Sequence, residues 1–258
     1  MLRQVKDIIN QQLGAEDGEI GRVKDLYFDD ESWTVRYLVA DTGKWLPGRL
    51  VLISPASVDL IDTERKLVKV NLTRRQIESA PSVDRDKPVS RQHEADYARY
   101  YGWPMYWYGP ALWGPTPYPV YERRDDEPPT TDPLVHSEQT GDPHLRSSSE
   151  VIGYYIQAQD DDIGHVEDMI FDDQDWAVRY LEVDTRNWLP GKKVLVSPEW
   201  IRDVSWERSR VVVDLTTDAI RNGPEYDPRA LTREYEEKLY EHYQREAYWN
   251  RRREILTE

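Results

Sequence analysis

The chain repeats itself, and the repeat limits what it can fold into. Ile20-Gly21-Arg22-Val23-Lys24-Asp25-Leu26-Tyr27-Phe28-Asp29-Asp30 returns as Ile163-Gly164-His165-Val166-Glu167-Asp168-Met169-Ile170-Phe171-Asp172-Asp173, an offset of 143 residues. At that offset Trp33-Thr34-Val35-Arg36-Tyr37-Leu38 meets Trp176-Ala177-Val178-Arg179-Tyr180-Leu181, and Asp41-Thr42 meets Asp184-Thr185. Trp45-Leu46-Pro47-Gly48 likewise meets Trp188-Leu189-Pro190-Gly191. About half of the positions from Gly18 to Glu78 are identical to their counterparts. A period this long marks a duplicated domain, not a solenoid unit. The 258 residues leave room for two small domains and a connection.

Each copy reads as β. Val23 to Phe28 ends in an acidic turn. Trp33 to Ala40 is rich in aromatic and β-branched residues, and Leu50 to Ile53 is stopped by Ser54-Pro55. Val58 to Ile61 and Leu67 to Leu72 form a hairpin around Asp62-Thr63-Glu64-Arg65. Thr73 is placed to cap a short helix from Arg74 to Ser79, and Thr216 does the same before Asn222. Five or so short strands close together predict a small barrel or tightly bent sheet in each copy. Helical spacing follows both: Ser90 to Tyr101 puts His93, Tyr97 and Tyr101 on one face, and a longer helix is expected from Leu231 to Leu256. Between the copies Trp103 to Tyr121 is rich in Gly, Pro and aromatics, while Asp125 to Ser149 has the composition of disorder. The expected boundaries are 1–85 for the first barrel, 86–149 for helix and linker, 150–227 for the second barrel and 228–258 for the C-terminal helix.

Composition removes several functions. With 34 Lys+Arg against 49 Asp+Glu the net charge is -15, which argues against nucleic acid as a partner. There is no cysteine, so disulfides, thiolate metal sites and cysteine nucleophiles are excluded. No stretch approaches the ~20 apolar residues of a membrane span, and the N-terminus lacks the apolar run of a secretory signal. A cytoplasmic protein is expected, with a place at the cytoplasmic face of the inner membrane left open. The 10 Trp and 17 Tyr against 2 Phe point to half-buried positions and interfaces.

The segment Gly21-x-Val23-x-Asp25, then Phe28-Asp29-Asp30, Trp33-x-Val35-Arg36-Tyr37-Leu38, Asp41-Thr42 and Trp45-Leu46, resembles the PRC-barrel domain, and so does its second copy. This is the small β-barrel in the cytoplasmic part of the photosynthetic reaction centre H-subunit. More distantly it resembles the C-terminal barrel of the ribosome maturation factor family. The resemblance implies a mainly β chain with two such barrels in tandem, each followed by helix. It also implies a non-catalytic module that docks onto other proteins. A peripheral part in an energy-transducing membrane complex, and a small-ligand sensor with a site between the barrels, remain as alternatives.

The acids of Asp29-Asp30-Glu31, Asp172-Asp173-Gln174-Asp175 and Asp160-Asp161-Asp162 lack a calcium-loop pattern and read as solvated turns. Among His93, His136, His144, His165 and His242 no ligand spacing stands out, and His165 faces Arg22 in the repeat, so no metal and no cofactor is expected. Ser54 and Ser197 precede Pro at strand ends and lack a nucleophile's partners. Arg36 and Arg179, each five residues before Asp41 or Asp184, suggest structural ion pairs. The aromatic arm is the one segment whose composition asks for a role. Trp103, Tyr106, Trp107 and Trp113 are expected either to hold a protein partner or to strap a barrel. The identity of that partner is open, as is assembly with further copies of the chain.

Overall fold

The computed structural model describes residues 1–43, 45–47, 50–81, 89–120, 144–185 and 192–250. The turn 188–191, His136 and the basic tail Arg251–Arg253 lie outside the described residues. The first repeat runs β1 (Leu2–Gln4), α1 (Val5–Ile8), β2 (Gln12–Ala15), β3 (Gly18–Asp29), β4 (Thr34–Asp41), β5 (Leu50–Ile53), β6 (Val58–Asp62), β7 (Leu67–Val70), α2 (Arg74–Ser79) and α3 (Arg91–Tyr101). The second repeats it as β8 (Leu145–Ser147), α4 (Ser148–Val151), β9 (Tyr155–Gln157), β10 (Asp162–Asp172), β11 (Val178–Asp184), β12 (Lys193–Val196), β13 (Ile201–Ser205), β14 (Arg210–Val213), α5 (Thr217–Asn222) and α6 (Arg233–Tyr243). The protein is mainly β, as its pattern predicts.

Both sheets have the same strand order. One runs β5-β4-β3-β2-β7-β6 and the other β12-β11-β10-β9-β14-β13. Neighbours are antiparallel except that β2 and β7, like β9 and β14, pair in parallel. Among the described residues no pairing joins the two ends of either path. β3 is the spine of its sheet. Two bulges, between Val23 and Asp25 and between Tyr27 and Phe28, bend it against β4. They also break the simple alternation of inward residues, so Val23, Leu26 and Phe28 all point into the core. Gly21 sits where a Cβ would lie 2.0 Å from the Asp41 carbonyl oxygen, and Gly164 meets Asp184 in the same way, so only glycine lets the two strands approach there.

The acidic turns are stitched, not merely solvated. Asp29 is buried, and its Oδ1 accepts from the amides of Glu31 and Ser32 and from the Ser32 hydroxyl. These three donors compensate the buried carboxylate for the water it loses. Trp33 and Trp176 follow in the left-handed region and stack on Phe28 and Phe171, at 5.2 and 5.1 Å. Asp160 takes the amide and hydroxyl of Thr217 at the start of α5. The backbone amide foremost, then the hydroxyl, lower its carboxyl below the usual range. Ser54 and Ser197 cap the 3-10 turns Pro55–Ser57 and Pro198–Trp200, which accounts for their position before proline. Thr73 forms a full capping box with Gln76, and Ser90 caps α3 through the amide of His93.

The chain makes two compact units. One comprises residues 3–150 with Met1 and Ile170–Val178; the other comprises 151–169 and 179–258 with Leu2. Within the first unit β8 pairs antiparallel with β3, Tyr27 facing Ser147 and Asp29 facing Leu145. Residues 145–149, expected to be disordered, thus form a strand and the start of a helix. The same unit contains a reciprocal bridge: the Val35 amide donates to the Trp176 carbonyl and the Val178 amide to the Trp33 carbonyl, around the pair Thr34 and Ala177. The expected 231–256 helix is also corrected. α6 stops at Tyr243, Gln244 is left-handed, and helix resumes only at Tyr248. Gly102 makes the same turn after α3. No described helix is long and apolar enough to cross a membrane.

Candidate functional site

The aromatic arm starts at Gly102, whose left-handed conformation ends α3 and sends the chain back over the first barrel. Trp103 is buried with its ring 4.1 Å from that of Tyr101, and its Nε1 donates to the Ser57 hydroxyl at 2.7 Å. Tyr106 is buried too. Trp113 is 1% exposed, and its Nε1 donates to the Asp175 carbonyl at 2.8 Å. Trp107 is only half-buried, Tyr108 next to it is exposed, and so are Tyr118 and Val120 further along the arm. Three of the four candidate partner-binding residues therefore serve as the arm's anchors. The accessible part is its outer edge.

One anchor, Tyr106, reaches a carboxylate that sequence reading did not single out. Glu94, on the first turn of α3, is 0% exposed. Its Oε1 accepts from the Tyr106 hydroxyl at 2.6 Å, its Oε2 lies 2.6 Å from His144 Nε2, and Arg91 Nη1 stands 3.3 Å away. Tyr37, fully buried, adds its hydroxyl from β4. Burial first, then the Glu94 charge, push the Tyr37 and Tyr106 phenols well above their ordinary value. Above this cluster cations and rings alternate. Arg36 lies 3.8 Å over Tyr106 and 4.9 Å over Trp113, and Arg91 lies 4.6 Å over Trp107. Burial lowers the Arg36 guanidinium below its usual value, and the neighbouring Tyr106 and Asp29 oppose that.

The second unit builds the same cluster from the residues 142 or 143 positions on. Glu236 of α6 accepts from Tyr180 at 2.8 Å and from Tyr248 at 3.1 Å, and Arg233 lies 3.1 Å away. Arg179 lies 4.1 Å over Tyr248, and Arg233 lies 4.0 Å over Trp249. The left-handed turn at Gln244 makes this possible, because a continuous helix would carry Tyr248 and Trp249 away from Glu236. His144 has no counterpart here, since its repeat position is Met1.

Arg36 does not pair with Asp41. Residues five apart on a strand point to opposite faces. Its nearest carboxylate is Asp29 at 4.0 Å, and its Nη1 donates to the Leu112 carbonyl at 2.7 Å, so it belongs to the arm. His242 contacts the Ala219 carbonyl and His93 the Ser90 hydroxyl, both at helix ends.

A second duplicated place lies at the opposite end of β3. An open cleft of about 520 Å³ is lined by Arg22, Lys24, Asp41, Thr42 and Trp45 among others. Its counterpart in the second unit carries His165, Glu167, Asp184 and Thr185. There one ligand-type atom from each of His165, Glu167 and Asp184 lies within 4.8 Å of the others. Sequence reading missed this group by comparing His165 with Arg22 alone. His165-x-Glu167 on a strand already places both on one face.

Two sheets of identical strand order, each bent by a bulged central strand and followed by a helix bearing a buried glutamate, define a tandem protein of small β-barrel domains. The PRC-barrel domain family matches residues 3–77 and 143–220, more than half of the chain, and the chain belongs to that family. A search of curated proteins gives no match.

Proposed function

We propose that the protein is a non-catalytic scaffold or adaptor that holds a protein partner at the outer edge of the aromatic arm. The observation that supports this is how the arm divides. Its inner rings are anchored on Ser57, Glu94 and the Asp175 carbonyl, while Trp107, Tyr108, Tyr118 and Val120 remain at least partly open to solvent. Aromatic side chains at the accessible rim of a rigid segment provide contact area at low entropic cost. In the Glu94 and Glu236 clusters the carboxylates and tyrosines bond one another and are buried, which supports a structural part for those clusters in a binding protein. Membership of the PRC-barrel family agrees with an interaction module.

The test is capture of partners by the immobilised full chain, compared with Trp107→Ala/Tyr108→Ala. Partners that bind the parent and are lost from the variant, at an unchanged melting temperature, support the reading. An identical set of captured proteins would remove the arm's edge as the docking surface.

A further inference from the structure

We propose that the second barrel binds a divalent transition cation of the Zn²⁺ type through His165, Glu167 and Asp184. The proposal goes beyond the scaffold reading and does not depend on it.

The geometry comes from the strands. His165 and Glu167 stand two apart on β10 and share a face, with His165 Nε2 3.9 Å from Glu167 Oε2. Asp184 ends β11, and the close approach of Gly164 to its carbonyl fixes that strand end beside His165. Asp184 is buried, whereas His165 and Glu167 are half-buried and free to adjust their rotamers against a fixed carboxylate. Ligand atoms ~2.0–2.2 Å from a tetrahedral zinc lie about 3.3–3.6 Å apart. Drawing in the present cluster, whose three atoms lie within 4.8 Å of one another, needs side-chain movement only. One imidazole with two carboxylates suits zinc and its neighbours, while calcium and magnesium take all-oxygen sets.

The repeat supplies the independent argument. In the first barrel the same three places are Arg22, Lys24 and Asp41, so the chain provides two cations of its own. In the second both are gone, and the local formal charge falls by three with His165 neutral. The second barrel has also gained an ion pair, which leaves that fall in charge unchanged. Lys193 Nζ lies 2.5 Å from Glu182 and 3.8 Å from Glu167, where the first barrel has Leu50 and Val39 in place of Lys193 and Glu182. The acidic cluster thus already attracts positive charge. A metal ion would take Glu167 from Lys193 and leave Lys193 to Glu182.

The first barrel also provides variants its own fold accommodates. Full-length protein is titrated calorimetrically with ZnCl₂, and with MgCl₂ and CaCl₂ for comparison. His165→Arg/Glu167→Lys is expected to lose one zinc equivalent or to weaken it at least about tenfold. Glu182→Val/Lys193→Leu removes the competing ammonium together with its buried partner, and is expected to tighten zinc. Zinc should raise the melting temperature of the parent and not that of the first variant. Equal zinc binding by parent and His165→Arg/Glu167→Lys would overturn the site. So would equal affinity for magnesium, or weaker zinc binding by Glu182→Val/Lys193→Leu.

Discussion

Trp113 and Trp107 lie six residues apart in one arm, and their burial predicts very different costs on truncation. Trp113 is enclosed, faces Arg36 at 4.9 Å and donates to the Asp175 carbonyl at 2.8 Å. Removing a fully buried aromatic ring costs about 3–5 kcal/mol. Leaving the buried carbonyl without its donor adds about 1 kcal/mol. For a folded body of this size each kcal/mol moves the midpoint by ~2–4 °C, so Trp113→Ala is expected to lower the transition of the first unit by about 8–24 °C. Trp107 is half-buried over Arg91 at 4.6 Å. Its loss should cost about 1 kcal/mol, or ~2–4 °C. Differential scanning calorimetry with near-ultraviolet circular dichroism separates the two. Equal, small shifts would show that the arm is not part of the folded core, and the Glu94 cluster would then have no structural role to explain.

Two further outcomes follow from the same geometry. Gly164→Ala is expected to cost at least about 3 kcal/mol in urea unfolding, since its Cβ would meet the Asp184 carbonyl at 2.0 Å; Gly153→Ala, left-handed but with nothing within 4 Å, should cost only about 1 kcal/mol, and equal losses would refute the close-approach argument. Burial raises the Tyr37, Tyr106 and Tyr180 phenols in the folded state, so the unfolded chain ionises first; stability should be fully present below the ordinary phenol value of 10.0 and fall as pH rises above it, and a flat unfolding free energy from pH 9 to 12 would contradict this.

Much of the fold was legible because its causes are local. Turn acids, Thr and Ser caps, and β-branched runs each announce an element within a few residues, and the structure places Thr73, Ser90 and Thr216 where their side chains cap helices. What stayed hidden depends on partners far along the chain. Leu145–Ser147 is three residues with no pattern of its own, and it is a strand only because β3, more than a hundred residues earlier, offers it an edge. Glu94 looks like any solvent-facing helix acid until Tyr37, Tyr106 and His144 close over it. Gln244 carries no glycine signal for its left-handed turn, yet it falls on the place of Gly102. The repeat held that information, and reading helix spacing within the second copy alone obscured it.

The two copies also differ where the physics allows them to. A glutamate buried under two tyrosines and an arginine is hard to change by single steps, because removing one partner leaves the others desolvated and unpaired, at a cost of several kcal/mol. Both units retain that cluster, including the reversal after the helix that delivers Tyr106 and Tyr248 to it. At the other end of the spine the side chains reach solvent and such coupling is weak. There Arg22 and Lys24 stand against His165 and Glu167 on the same backbone. A duplicated domain of this kind has a fixed half and a variable half. A difference in cation binding between the two barrels is therefore expected in the variable half, where the first carries Arg22 and Lys24 and the second His165 and Glu167.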